Sequence, residues 1–243
     1  LQIGANYAND YFDFRKGADT AKRVGPTRVT QAGLVSPEAM RLGTALIFSL
    51  ALVPGAYIVF RGGWPFVSIG LLSILFAVLY TGGPYPLSYI GLGDVCVVIF
   101  FGPVAVCGTY YLQAREMSAN VVVASFALGL LSDALLTVNN LRDIEEDRRT
   151  GKRTLAVQFG RTFARQQYLV DLVLGAGIIP IYLFFVTGKH LLPVVTFLVF
   201  GFGVSAIKTV LSTSNGPGLN QALARTGQLL LLFAIAFSIA WLG

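Results

Sequence analysis

The chain has 243 residues, of which 55% are hydrophobic and 12% charged, about half the charged share of an ordinary soluble domain. That balance points to lipid rather than water as the main solvent and argues against a soluble fold. The formal charge of +6 would suit a nucleic-acid binder, but its placement along the chain argues otherwise.

Residues 1–12 are apolar but too short to cross a bilayer, and the polar stretch 13–41 follows them. Seven nearly charge-free runs come next, at 42–60, 64–83, 95–112, 121–141, 168–187, 191–207 and 226–243. Each approaches the ~20 residues that a helix needs to cross a hydrocarbon core of roughly 30 Å. They lack the strict alternation of barrel strands, so the chain reads as an all-α, polytopic transmembrane helical bundle forming a single domain, 1–243. Gly82-Gly83-Pro84-Tyr85-Pro86 stops the second run, and Ser214-Asn215-Gly216-Pro217-Gly218 supplies a turn before the last.

If successive spans alternate, the connections 13–41, 84–94, 142–167 and 208–225 share one side. They hold fifteen of the eighteen Lys and Arg residues, and only Arg61, Arg115 and Lys189 remain on the other. The positive-inside rule makes the first side cytoplasmic, and it places Trp64 and Trp241 near the outer interface. The basic excess is therefore chiefly a topology signal. Cys96 and Cys107 lie about 16 Å apart along one helix and cannot pair. His190, the one histidine, stands beside Lys189 in an outer turn with no motif around it.

Two polar stretches repeat a pattern. The first runs Asn6-Tyr7-Ala8-Asn9-Asp10-Tyr11-Phe12-Asp13 and continues to Asp19; the second runs Asn139-Asn140-Leu141-Arg142-Asp143-Ile144-Glu145-Glu146-Asp147. At 100° per residue, Asn6, Asp10 and Asp13 fall within about 60° on a helix, and Asn139, Asp143 and Asp147 within about 80°. Each motif so projects oxygen ligands from one face of a helix end. Carboxylates this close repel unless a cation lies between them. Oxygen donors without Cys or His suit a hard cation, and Mg²⁺ commonly takes one or two carboxylates together with substrate phosphates. Lys22, Arg23 and Arg28 follow the first motif, while Arg142, Arg148, Arg149, Lys152 and Arg153 surround the second. Such donors stabilise negative charge on a departing diphosphate. Asp133 and Asp171 interrupt apolar runs, and intramembrane acids normally face the bundle interior. Either polar packing or a substrate contact fits them.

At these motifs the chain resembles the UbiA superfamily of intramembrane aromatic prenyltransferases. Asn9-Asp10-x-x-Asp13, with Asp19 after five intervening residues, is similar to the 1,4-dihydroxy-2-naphthoate branch. So are the stretch from Asn139 to Leu155, Tyr80-Thr81-Gly82-Gly83-Pro84, and Gly91-Leu92-Gly93-Asp94 running on to Phe100-Phe101-Gly102. The resemblance implies a nine-helix bundle in the intact protein, about seven and a half of whose helices are present in this sequence. It implies Mg²⁺-dependent ionisation of an isoprenyl diphosphate and attack by an aromatic acceptor, 1,4-dihydroxy-2-naphthoate, in menaquinone or phylloquinone biosynthesis. By motif it assigns Asn9, Asp10, Asp13, Asp143 and Asp147 to the metals, with the four aspartates catalytic. It assigns Arg23, Arg142 and Lys152 to the diphosphate, with Asn6 and Asp19 as further substrate contacts, and puts Tyr80 and Asn140 beside the acceptor. The implied location is a cell inner membrane or its equivalent, with the site facing the cytoplasm and no nucleic-acid partner.

Leu1 to Asp10 supplies about 15 Å of helix, half the hydrocarbon core, yet Asp10 and Asp13 must emerge on the cytoplasmic side. The sequence therefore reads as starting mid-membrane, without the superfamily's first helix and the start of its second. Residues 1–243 alone are expected to be inactive. A secondary transporter would instead place paired helix breaks near the bilayer midplane. A phosphatidyltransferase would crowd its acids into one continuous motif.

Overall fold

A computed structural model describes residues 1–19 and 24–243. Among them are eight helices: α1 (Gln2–Arg15), α2 (Pro37–Gly62), α3 (Pro65–Leu79), α4 (Gly93–Ala114), α5 (Ala119–Arg149), α6 (Leu155–Thr187), α7 (Leu192–Ser212) and α8 (Gly216–Leu242). A single 3₁₀ turn, Leu87–Tyr89, interrupts the connection between α3 and α4. Each of the seven apolar runs becomes one of these helices. Six are long and apolar enough to cross a membrane; α3, at 15 residues, falls short. The bundle is all-helical, as expected, and the protein is an integral membrane protein.

Local chemistry sets the boundaries. Ser36 caps α2, its Oγ accepting from the Ala39 amide at 3.2 Å, with Pro37 and Glu38 in the first turn. Asn215 caps α8 in the same way, through the Gly218 amide at 2.8 Å. Two connections are much shorter than the charge pattern suggests. The polar stretch 142–167 is mostly helix, because α5 runs on to Arg149 and α6 starts at Leu155. Residues 208–225 likewise shrink to a turn between Ser212 and Gly216. Charged side chains do not stop a helix that has left the membrane; they solvate it. Within α6, Gly160 adopts φ 87°, ψ 176° and so separates the short piece before it from the long apolar one after it.

The described residues divide into two compact units. One comprises 1–93 and 145–154, the other 94–144 and 155–243. In the first, α1 packs on α2 and α3. A Cβ on Gly82 would stand 2.8 Å from the Phe12 ring, so only glycine lets the end of α3 meet α1. Much of α2 and α3 is apolar and exposed, including Leu52, Val53, Tyr57, Phe60 and Leu71, which is the surface lipid requires.

The second unit has a continuous core. Leu131, Val138, Leu141, Tyr168, Leu172, Leu183, Val199, Leu219 and Phe233 are its large buried members. Helices α4, α5 and α6 meet there through small residues. A Cβ on Gly129 would lie 2.5 Å from the Val98 carbonyl oxygen, and one on Gly175 would lie 2.9 Å from that of Ala127. Such close backbone approach is how helices associate where lipid removes the hydrophobic drive. Both α4 and α6 carry a π-helical turn in this region, at Phe100–Val104 and Val173–Ile178. In α4 the turn contains Pro103, which has no amide hydrogen to give. Cys96 and Cys107 are free and only partly covered on α4.

Candidate active site

In the first unit, α1 presents Asp10 and Asp13 on its buried face. Asn6 lies one turn earlier and is exposed. Asp10 is committed to the loop that follows: its two oxygens accept from the Val29 and Thr30 amides, each at 3.2 Å. Asn9 accepts from the Thr81 hydroxyl at 2.9 Å, which ties α1 to the end of α3. Asp19 is buried and stands 3.7 Å from the Arg28 guanidinium. Arg23, expected to meet the diphosphate, lies outside the described residues, as does Lys22.

Asp13 has the most telling environment. Its Oδ1 accepts from the Tyr89 hydroxyl at 2.9 Å. Burial first, then the charge and hydrogen bond of Asp13, then the charges of Asp147 and Asp19, hold the Tyr89 phenol far above its ordinary pKa. Tyr89 is thus a permanent donor at any physiological pH. The Lys16 ammonium lies 4.7 Å from the centre of the Tyr89 ring and that of Lys152 5.7 Å. Lys16 also donates to the Thr81 carbonyl at 2.6 Å. Its pKa falls below the ordinary lysine value, mainly through burial and further through Lys152, against an opposing pull from Asp13. Lys152 reaches to 3.9 Å from Asp147 Oδ1. Acids from both sequence motifs, Asp13 and Asp147, therefore act on one tyrosine with two lysines at its ring.

Tyr89, Lys16 and Thr81 are absent from the sequence-derived site. Tyr89 is 76 positions from Asp13, and only its place two residues before Gly91-Leu92-Gly93-Asp94 hints at it. Tyr80 is half-buried, its hydroxyl 3.0 Å from where a Cβ on Gly93 would stand. Its carbonyl accepts from the Ser88 hydroxyl and amide.

In the second unit, the other half of the second motif is internally paired. Arg142 Nε and Nη2 donate to the two oxygens of Asp143, both at 2.7 Å, a two-point fork that matches a carboxylate. Arg142 also donates to Asn139 at 2.7 Å and to Asn220 at 2.9 Å. The residue expected to grip diphosphate is thus held by the acid expected to hold a cation. Asn140 is buried beside them in sequence, on the same helix.

The deeper acids form a set of their own. Gln167 donates one amide to Asp94 at 2.8 Å and to Asp133 at 3.0 Å, while Asp133 Oδ1 and Asp171 Oδ2 are buried without a hydrogen-bond partner among the described residues. All three acids are buried. Asp133 is therefore a polar packing partner of Gln167 and, through it, of Asp94. Asp94, read from the sequence only as part of a family stretch, joins them.

Among the described residues, no three acidic, histidine or cysteine side chains gather closely enough to enclose a metal ion. The donors at Tyr89 are nevertheless carboxylate oxygens beside lysines. That set fits Mg²⁺ when phosphate oxygens and water complete its shell, and does not fit a site closed by protein alone.

The chain is 38% identical over 182 residues to the 1,4-dihydroxy-2-naphthoate octaprenyltransferase of Haemophilus influenzae, covering 72% of this chain and 59% of that protein. It is 41% identical, with the same coverage, to the protein of that name from Escherichia coli. To the one from Mycobacterium tuberculosis it is 36% identical over 236 residues, covering 97% of this chain and 79% of that protein. This chain thus spans about three fifths of the length of the first two relatives. The profile of the UbiA prenyltransferase family matches residues 1–226; with two aspartate motifs on helix ends of an all-helical membrane bundle, the chain belongs to that family.

Proposed function

We propose that this protein transfers a polyprenyl or phytyl group from its diphosphate to 1,4-dihydroxy-2-naphthoate, in a reaction that depends on Mg²⁺. The observation that carries the reading is the convergence of Asp13 and Asp147 on Tyr89, with Lys16 and Lys152 at its ring. The names of the similar proteins support the choice of acceptor.

Asp13 and Asp147 would hold the metal, with Asn9 and Asp10 as the further ligands; an oxygen that accepts one hydrogen keeps a second lone pair. When bound, Mg²⁺ neutralises charge on the leaving diphosphate. Lys152 lies close to Asp147, so its ammonium can follow charge from carboxylate to phosphate. In the transfer, the bond between the prenyl C1 and the diphosphate oxygen breaks and the electron pair leaves with the diphosphate. An electron-rich ring carbon forms the new carbon–carbon bond, and the ring regains aromaticity by losing a proton or carbon dioxide. Water must be kept from the allylic cation, and the apolar helices supply such surroundings. The site faces the cytoplasm, the side that the Lys- and Arg-rich connections mark.

The acceptor is tested by offering 1,4-dihydroxy-2-naphthoate, 4-hydroxybenzoate and homogentisate in parallel to membranes containing the intact gene product and a labelled isoprenyl diphosphate. Labelled naphthoquinone precursor is the expected product. Preference for 4-hydroxybenzoate would overturn the acceptor while leaving prenyl transfer in place.

A further inference from the structure

The stretch 208–225 reads from its charges as a loop, yet the structure puts both of its ends on helix walls. Lys208 is on α7 and Arg225 on α8, neighbours that pack on each other within the second unit. Arg225 donates through Nη1 to the Ser205 hydroxyl of α7, so its guanidinium is held in the seam between the two helices. Lys208 follows Ser205 by one turn, about 60° away on the same side of α7, and is exposed. Gln221, one turn before Arg225, is exposed on α8. One polar, doubly cationic patch straddles the seam.

Its depth sets it apart from an ordinary basic loop. At 1.5 Å per residue the 21 residues of α7 measure about 32 Å, close to the thickness of one hydrocarbon core. Ser205 and Lys208 fall about 10 and 6 Å short of the last residue, Ser212. The patch therefore lies where acyl chains meet headgroups, on the side that the basic connections mark as cytoplasmic. Val204 and Leu211 on α7 and Leu231 and Ile235 on α8 are apolar and exposed beside it or further along the same helices.

A cation at this depth is costly without an anion, and the surrounding chain supplies none. Asp171 is the sole acid in residues 155–243, and it is buried in the core. Neither Lys208 nor Arg225 takes part in an ion pair among the described residues. Arg225 spends one of its five N–H donors on Ser205. Topology alone asks for positive charge on this side; it does not ask for two cations on facing helix walls beneath the headgroups.

We propose that the α7–α8 seam binds one anionic phospholipid, with Arg225 and Lys208 holding its phosphodiester and the apolar flanks its acyl chains. The free edge of the guanidinium offers parallel N–H groups to two phosphate oxygens, and the ammonium adds a point charge. With no acid beside it, the patch has no partner for the amine of a zwitterionic headgroup. Phosphatidylglycerol is therefore preferred to phosphatidylcholine.

The test is titration of the purified intact gene product, in detergent, with fluorescent phosphatidylglycerol, using phosphatidylcholine of the same chains and inorganic phosphate as competitors. Unlabelled phosphatidylglycerol should displace the probe at concentrations about tenfold below those phosphatidylcholine requires, and phosphate at matched concentration should not displace it. Lys208→Gln should weaken binding about fivefold, the share of one basic residue at a membrane surface, and Lys208→Arg should restore it. Lys208 is exposed and holds nothing in place, so its variants keep the fold. Arg225→Gln should lose at least as much, since it also gives up the Ser205 bond. Lys189→Gln, in the turn before α7 and against Trp241, should bind as the wild type does. Equal affinity for the two lipids would overturn the proposal, as would wild-type affinity in Lys208→Gln. Displacement by phosphate would overturn it too, assigning the patch to a free oxyanion.

Discussion

Arg142 shows how far one residue's surroundings can depart from its motif. It is almost fully buried and donates to Asp143, Asn139 and Asn220. Removing one partner of a buried ion pair leaves the other charge uncompensated, at a cost of roughly 3–5 kcal/mol. Arg142→Met should therefore lower the unfolding midpoint in detergent sharply, and Arg142→Met with Asp143→Leu should recover much of the loss. Equal midpoints for Arg142→Met and the wild type would remove the pair from the account. Tyr89 is a second case. Its pKa is raised by burial and by Asp13, so its stabilising protonated state is complete below the ordinary phenol value. It is lost only as pH rises through the higher folded value. Ultraviolet titration should show no Tyr89 ionisation between about pH 9 and 11, where an ordinary phenol ionises, judged against Tyr89→Phe. Neither residue's role was legible in the sequence. Arg142 looked like a phosphate donor because it borders an acidic motif, and its partner Asn220 is 78 positions away. The Asp10 carboxylate, read as a ligand, also secures the amides of Val29 and Thr30, which no spacing rule reports.

At the scale of elements, hydrophobic run length carried most of the information. Every apolar run predicted as a span is a helix, and short turns at 63–64 and 188–191 separate α2 from α3 and α6 from α7. Helix boundaries depart from the charge pattern at Arg149 and Gln167, because charged side chains solvate a helix end instead of stopping it. The placement of Gln167 on α6 is what lets it bridge Asp94 and Asp133; read as a loop residue it could not. The close crossing of α4 and α5 at Gly129 gives a direct check. A Cβ there would meet the Val98 carbonyl oxygen at 2.5 Å, so Gly129→Val forces the helices apart and should cost about 1–3 kcal/mol. Gly201→Val, where a Cβ would meet open space, is the matched control. Equal unfolding midpoints for the two variants would contradict the packing described.

For the whole molecule, both aspartate motifs are proposed to face the cytoplasm. With Cys96 and Cys107 replaced by alanine, a cysteine at Arg148 should react with an impermeant maleimide only in inverted vesicles. One at Glu116 should react only in right-side-out cells. The reverse pattern would invert the topology and the positive-inside argument with it. The two motifs are proposed to serve one reaction, which is measured as Mg²⁺-dependent transfer of a labelled isoprenyl group to 1,4-dihydroxy-2-naphthoate by membranes containing the intact gene product, wild type, Asp13→Asn or Asp147→Asn. Each substitution removes a proposed charged metal ligand, so each should lower the rate by about 10²-fold or more while the protein stays folded. Wild-type turnover in both folded variants would contradict the account.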